Sequence, residues 1–353
     1  MDNAAFYTKP QTSPEREAFN RRLGDYHSAP LWNVLGELVP HRPHPACVPA
    51  LWRYDEMRPL LMEAGRLITA KEAERRVLIL ENPGVSGASR ITQSLYAGLQ
   101  LILPGEVAPT HRHTTSALRL VVEGQGAYTA VDGERTTMHP GDFILTPSWT
   151  YHDHGNPGDV PVVWMDGLDI PIVNMFDTGF AEHHPDDVQP VVRAEGDALA
   201  RYGGGLLPLE YKPARPSSPL FTYPYARSRE TLDHLHRSGP LDEWHGTKLQ
   251  FMNPATGGYP LPTIAAFLQF LPAGFSGAPY RGTDGTVHYV IEGRGRTRIG
   301  DTTLTWQPHD IFVAPSWSTV AHEAQDDAVL FSFSDRPVQK ALGLWREERL
   351  TAG

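Results

Sequence analysis

The stretch LVVEGQGAYTAVDGERTTMHPGDFILTPSW at residues 120–149 returns as YVIEGRGRTRIGDTTLTWQPHDIFVAPSW at 289–317. Glu123 and Gly124 correspond to Glu292 and Gly293 at an offset of 169, and Pro147-Ser148-Trp149 to Pro315-Ser316-Trp317 at 168, so one residue is lost between the turns. A repeat of this length means two copies of one domain and restricts the chain to a fold that can be built twice. Within each copy, short β-branched and apolar runs are broken by Gly and Asp turns, the rhythm of a double-sheet jelly-roll barrel. The 32 prolines, about twice the usual share, leave little room for long helices.

Outside the repeat the texture differs. Up to about residue 90 the chain reads as helical, with SPEREAFNRRLGDY and DEMRPLLMEAGRL carrying apolar residues at helical spacing and Thr69-x-x-Glu72 matching a capping box. The expected layout is a helical segment over 1–90, barrels over 91–180 and 251–340, a linker with a short helix over 181–250 between them, and a tail over 341–353. A net charge of −10 without a dense Lys/Arg block argues against nucleic acid as a partner. No apolar run reaches the roughly 18 residues a membrane span needs. A single cysteine, Cys47, and an N-terminus without a basic or apolar leader pattern predict a cytoplasmic protein.

Chemistry concentrates in the first copy, in APTHRHTTSALRLVVEGQG. Side chains two apart on a strand share a face, so His111 and His113 aim into one barrel, and His152 brings a third imidazole. Three neutral imidazoles suit a borderline divalent metal, and a facial set of three leaves positions open for ligands, unlike a closed structural site. Arg119 has the parity of the two histidines. Buried, it either meets an anionic ligand or forms an ion pair with Asp166. His154 shares the parity of His152, where it can exchange a proton behind the metal, and Asp166 can orient a histidine or arginine.

The second copy has Tyr280, Gly282 and Val320 where the first has His111, His113 and His152, and has His288 and His322 where the first has Arg119 and His154. One metal per chain is expected, in the N-terminal barrel. His234 and His236 share the H-x-H pattern but are followed by no turn motif, and no metal role is expected of them.

Gly105, five residues, His111-Arg112-His113 and Gly124 resemble the first cupin motif. Gly141, Pro147, Trp149, His152 and Asn156 resemble the second, with Trp where Gly is usual, so the whole chain is similar to an all-β bicupin with a helical N-terminal segment. Where many cupins add a glutamate ligand, this chain has Ala117 and Leu118. The segment SALRLVVEGQGAYTAVDGERTTMHPGDFILTPSWTYHDHGN, with AERRVLILENPG before it and NPATGGYPLPTIAAFLQFLPAG after it, resembles the gentisate 1,2-dioxygenases and their salicylate and 1-hydroxy-2-naphthoate relatives. The resemblance implies an Fe(II) homotetramer that uses O2 to cleave an aromatic carboxylate between the carboxylate-bearing and hydroxyl-bearing carbons, giving maleylpyruvate from gentisate. It places His111, His113 and His152 on the metal, Arg119, His154 and Asp166 behind it, and Arg75 or Arg76 on the substrate carboxylate. Two other readings stand beside it: a non-catalytic bicupin holding a small anion or metal, and a Zn-dependent cupin isomerase or hydrolase.

Overall fold

The computed structural model describes residues 10–351; the first nine residues, part of the stretch read for a leader, and the last two lie outside the described residues. The chain divides into two units, Met1–Pro45 and Ala46–Gly353. The first holds two helices, Pro14–Gly24 and Leu31–Leu38. Ser13 caps the former by accepting a hydrogen bond from the Arg16 amide at 3.2 Å, with Glu15 and Glu17 in the first turn and Arg21 and Arg22 in the last, the charge order a helix dipole favours.

The second unit holds two barrels, each of a six-stranded and a five-stranded sheet. In the first barrel the large sheet runs in the order Thr222–Tyr223, Phe143–Thr146, Ala117–Glu123, Val162–Leu168, Tyr96–Ile102, Val77–Ile79. Facing it are Ala181–His183, Val107–His113, His152–Gly155, Tyr128–Val131 and Glu134–Thr137. The second barrel repeats the plan. Ala50–Trp52 supplies one edge of its large sheet and Thr247–Gln250 the other, and Glu347–Arg349 closes its small sheet against Tyr280–Gly282.

The segments expected to be helical, linker or tail thus also supply barrel strands, because each sheet edge has backbone groups that must be paired. The Thr69–Glu72 box forms as well: the Thr69 amide and hydroxyl both donate to Glu72 Oε2, at 3.0 and 2.7 Å, and the Glu72 amide donates back to Thr69 Oγ1. It caps a single turn and no helix follows, since Glu74 takes a left-handed φ of 54° and the chain enters the Val77–Ile79 strand. The helix Tyr54–Leu67 precedes it, as the spacing in DEMRPLLMEAGRL predicts.

Alternation explains how one strand serves two environments. In Ala117–Glu123, Leu118, Leu120 and Val122 join the core between the barrels, while Val121 faces the barrel interior with Ile144, Val162 and Trp164. The two large sheets meet through Phe143 and Phe331, ring centroids 5.3 Å apart, and through Phe333 beneath Gly167. A Cβ on Gly167 would lie 2.8 Å from the Phe333 ring, so only glycine permits that approach.

Both copies carry the same outer clamp. Trp149 and Trp317 adopt left-handed φ values of 61° and 60°, the conformation for which glycine is usual at this motif position. Each ring is covered by an arginine, Arg112 at 4.5 Å and Arg281 at 4.6 Å, and each arginine is held by a glutamate, Glu182 and Glu348. The stacked cation offsets the strain of a bulky residue at positive φ.

Candidate metal centre and arginine cluster

The register His111↔His152 brings the two strands of the small sheet together at the predicted site, and His113 follows two residues on. The three rings have centroids 4.6–5.3 Å apart, and one ligand atom from each lies within 4.8 Å of the others. Arg112, between the two histidines, points outward into its clamp.

Backbone carbonyls set the tautomers. His113 Nδ1–H donates to the Thr115 carbonyl at 2.8 Å and His152 Nδ1–H to the Thr150 carbonyl at 3.0 Å, which turns both Nε2 lone pairs toward the centre. His152 is 1% exposed and its Nε2 has no partner. An orphaned buried imidazole nitrogen beside two others is the donor set a divalent metal satisfies. Burial first, with Arg75 and His113 next, pushes His111 down to about 2, and burial pushes His113 down to about 4. All three rings are therefore neutral, as ligation requires.

Two arginines border the histidines. Arg119 is 3% exposed, with Nη1 donating to Thr146 Oγ1 and Nε 3.3 Å from Asp166 Oδ1, an ion-pair approach without hydrogen-bond geometry. Asp166 sits directly opposite Arg119 in the register and accepts a hydrogen bond from Trp164 Nε1 at 3.1 Å. Burial outweighs Arg119 and pushes the Asp166 carboxyl up to about 6. Arg75 is held by carbonyls only: Nη1 donates to Glu74 at 2.8 Å and Pro109 at 3.0 Å, and Nη2 lies 3.5 Å from the His152 carbonyl. Burial and the neighbouring Arg119 bring its guanidinium down to about 9.

Arg76, the other candidate for a carboxylate anchor, is turned away. It pairs with Glu106 through two hydrogen bonds, of 2.8 and 2.5 Å, and donates to the Ile68 carbonyl. Both residues precede the Val77–Ile79 strand, and Glu106, already fixed by the Leu103 amide at 2.7 Å, claims the Arg76 side chain.

His154 is fully buried. Its Nδ1 lies 3.0 Å from Thr129 Oγ1, its ring is tilted against Trp164 at 5.2 Å and His152 at 5.8 Å between centroids, and its Nε2 has no partner. The Thr129 contact is invisible to local spacing, because it depends on the register Thr129↔His154. Tyr96 and Gly98 were also beyond sequence reasoning. Ala97, Leu99 and Leu101 face the inter-barrel core while Ile102 faces the interior, so Tyr96 and Gly98 share the interior parity. The Tyr96 hydroxyl lies 3.1 Å from where a Gly98 Cβ would stand, and burial, then Asp166, holds it protonated.

Residues 98–170 match the cupin domain family. Across 345 residues the chain is 57% identical to gentisate 1,2 dioxygenase 1 of Aquipseudomonas alcaligenes, covering 98% of this chain and 99% of that one. A gentisate 1,2-dioxygenase of Streptomyces sp is 39% identical over 97% of this chain and 98% of its own. The crystal structure of salicylate 1,2-dioxygenase from Pseudoaminobacter salicylatoxidans with gentisate superposes with a TM-score of 0.91 at 33% identity, over 99% of this chain and 97% of that one. Full-length identity at this level, on a bicupin whose first barrel keeps the three-histidine centre, establishes that the chain belongs to the gentisate 1,2-dioxygenase family.

Proposed function

We propose that the protein is an Fe(II)-dependent dioxygenase that uses O2 to cleave gentisate between its carboxylate-bearing and adjacent hydroxyl-bearing carbons, forming maleylpyruvate. One observation carries this reading. Three neutral imidazoles and two buried or half-buried arginines lie together in the first barrel, and among the described residues Arg75 has no carboxylate partner. Such a site combines a metal-binding donor set with uncompensated positive charge, which suits an anionic chelating substrate.

His111, His113 and His152 would hold the metal, and no other group of His, Cys, Asp or Glu among the described residues meets the same ligand-atom geometry. Bound there, iron(II) supplies the Lewis acidity that favours the ionised ortho-hydroxyl and the one-electron chemistry that O2 requires. Arg75 meets the substrate carboxylate. Arg119 offsets the negative charge that grows on the substrate oxygens, while Asp166 and Thr146 hold its guanidinium. His154, held by Thr129 and with Nε2 open, would take or give a proton at the substrate oxygens. Tyr96 supports gentisate over salicylate, since its interior-facing hydroxyl can pair with the second ring hydroxyl that salicylate lacks. The resemblance further supports a homotetramer, and the replacement of all three histidines in the second copy by Tyr280, Gly282 and Val320 supports one metal per chain; the single cysteine supports a cytoplasmic protein. Among the described residues no helix is long and apolar enough to cross a membrane.

The test is anaerobic Fe(II) reconstitution, then O2 uptake and ultraviolet spectra with gentisate, salicylate and 1-hydroxy-2-naphthoate in parallel. Stoichiometric O2 consumption with a ring-opened chromophore, fastest on gentisate, is the expected result. Iron bound without O2 uptake on any of the three would overturn it.

A further inference from the structure

Two buried carboxylates, at matching positions of the repeat, join the barrels to each other. Asp169, 2% exposed, follows the strand Val162–Leu168 of the first barrel. Its Oδ1 accepts from the Ser116 amide at 2.8 Å and its Oδ2 from Thr263 Oγ1 at 2.5 Å, on the chain entering the second barrel. Asp335 makes the reverse connection: Oδ1 accepts from the Gly285 amide at 3.1 Å and Oδ2 from Ser94 Oγ at 2.8 Å, on the chain entering the first. Gly285 and Thr263 stand 169 residues after Ser116 and Ser94, the offset of the repeat.

In the first barrel this joint ends on a metal ligand. The Ser116 N–H and the Thr115 carbonyl are the two ends of one peptide unit, and that carbonyl accepts from His113 Nδ1–H at 2.8 Å. A peptide unit is planar and stiff, so holding its N–H in one direction also fixes the direction of its carbonyl. The other group against His113 Nδ1, at 2.7 Å, is the hydroxyl of the same Thr115. Burial, opposed by the bonds from Thr263 and Ser116, raises the Asp169 carboxyl to about 6, so at pH 8 it is ionised. A carboxylate on the N–H end polarises the peptide and makes its carbonyl a stronger acceptor. That holds the His113 ring and raises the basicity of its Nε2. In the second barrel the equivalent peptide joins Asp284 to Gly285, and Gly282 stands where the first has His113, so the matching joint ends on no imidazole.

We propose that Asp169 and, from the second barrel, Thr263 are positioning residues for the metal centre of the first. Through the Thr115–Ser116 peptide they hold His113 in the orientation and tautomer that ligation needs. Resting on the three-histidine centre of the proposed function, this role makes the ligand-free barrel a working part of the metal site.

The test is cobalt(II) binding to the metal-free full chain at pH 8, read from the visible bands of the bound ion and by competition with a chelator, beside urea unfolding of the same metal-free samples. Thr263→Val keeps the side-chain shape and removes the hydroxyl donor. It should raise the cobalt(II) dissociation constant by about tenfold, the lower end for a lost partner behind a metal ligand, and alter the bands. Thr263→Ser should restore both. Ser94→Ala breaks the matching joint of the other barrel, so it should lower the urea midpoint as Thr263→Val does and leave cobalt(II) binding at the parent value. Thr263→Ala removes the same donor and serves if the Val variant does not fold. An equal dissociation constant in parent and Thr263→Val would overturn the proposal, as would an equal loss of affinity in Ser94→Ala, which would reduce both joints to general support of the fold. A parent that binds no cobalt(II) would instead remove the three-histidine centre itself, and this role with it.

Discussion

Replacing Arg119 by Met separates its two jobs, pairing with Asp166 and facing the substrate. Both side chains are at most 5% exposed, with Nε 3.3 Å from Oδ1. At an effective dielectric of about 20, opposite unit charges at that distance attract by about 5 kcal/mol, most of which offsets the loss of water around each. Arg119→Met strips Asp166 of that compensation and should lower the unfolding free energy by about 3–5 kcal/mol at pH 8. Adding Asp166→Asn removes the stranded charge and keeps an acceptor for Trp164 Nε1–H, so the double variant should return to within about 2 kcal/mol of the parent.

The pH dependence gives the sign. Burial already raises the Asp166 carboxyl to about 6, and loss of Arg119 raises it further. A carboxyl whose folded pKa exceeds its unfolded value of about 3.9 contributes stability that is whole below the latter and lost as pH rises through the former. The deficit of Arg119→Met is therefore largest at pH 8 and shrinks toward pH 5, where the lone carboxyl protonates. Urea unfolding of metal-free protein, followed by tryptophan fluorescence at both pH values, reads it directly. A deficit under 1 kcal/mol, or one equal at pH 5 and pH 8, refutes the coupling. Gentisate binding should stay lost in the double variant; its recovery with stability would reduce Arg119 to a structural ion pair.

Other outcomes follow from the same geometry. His152→Ala should retain no stoichiometric iron by elemental analysis, whereas Arg75→Ala should retain it and raise KM for gentisate by about 10–100-fold, the worth of a charge-assisted contact. Tyr96→Phe should lower kcat/KM for gentisate by about tenfold or more and leave salicylate turnover nearly unchanged, so an equal loss on both substrates would remove Tyr96 from specificity. Thr129→Val should lower kcat without raising KM, because it frees the His154 ring without touching the substrate anchors; unchanged kcat would end the positioning role of Thr129.

Period-2 logic made much of the metal centre legible. His111, His113 and Arg119 share a parity, and the repeat itself exposed which positions the second copy had changed. What stayed hidden was decided across the fold. Arg75 and Arg76 are chemically alike and adjacent, and only Glu106, 30 residues on and fixed by the Leu103 amide, determines which one turns inward. The Thr69–Glu72 box was read correctly as a hydrogen-bonding unit and wrongly as a helix start, because a cap fixes one turn and the next residues answer to the sheet edge they must pair.

The two copies also show which part of the barrel is free to change. The outer clamp is the same in both: a left-handed tryptophan, an arginine over its ring and a glutamate from a later strand. So is the threonine that holds His154 in one barrel and His322 in the other. The interior row differs at nearly every position: Arg119 against His288, Asp166 against Ser332, His111 against Tyr280. A barrel whose shape is held by its outer clamps and sheet edges can exchange interior polar groups without refolding, provided each new set is satisfied by what it encloses.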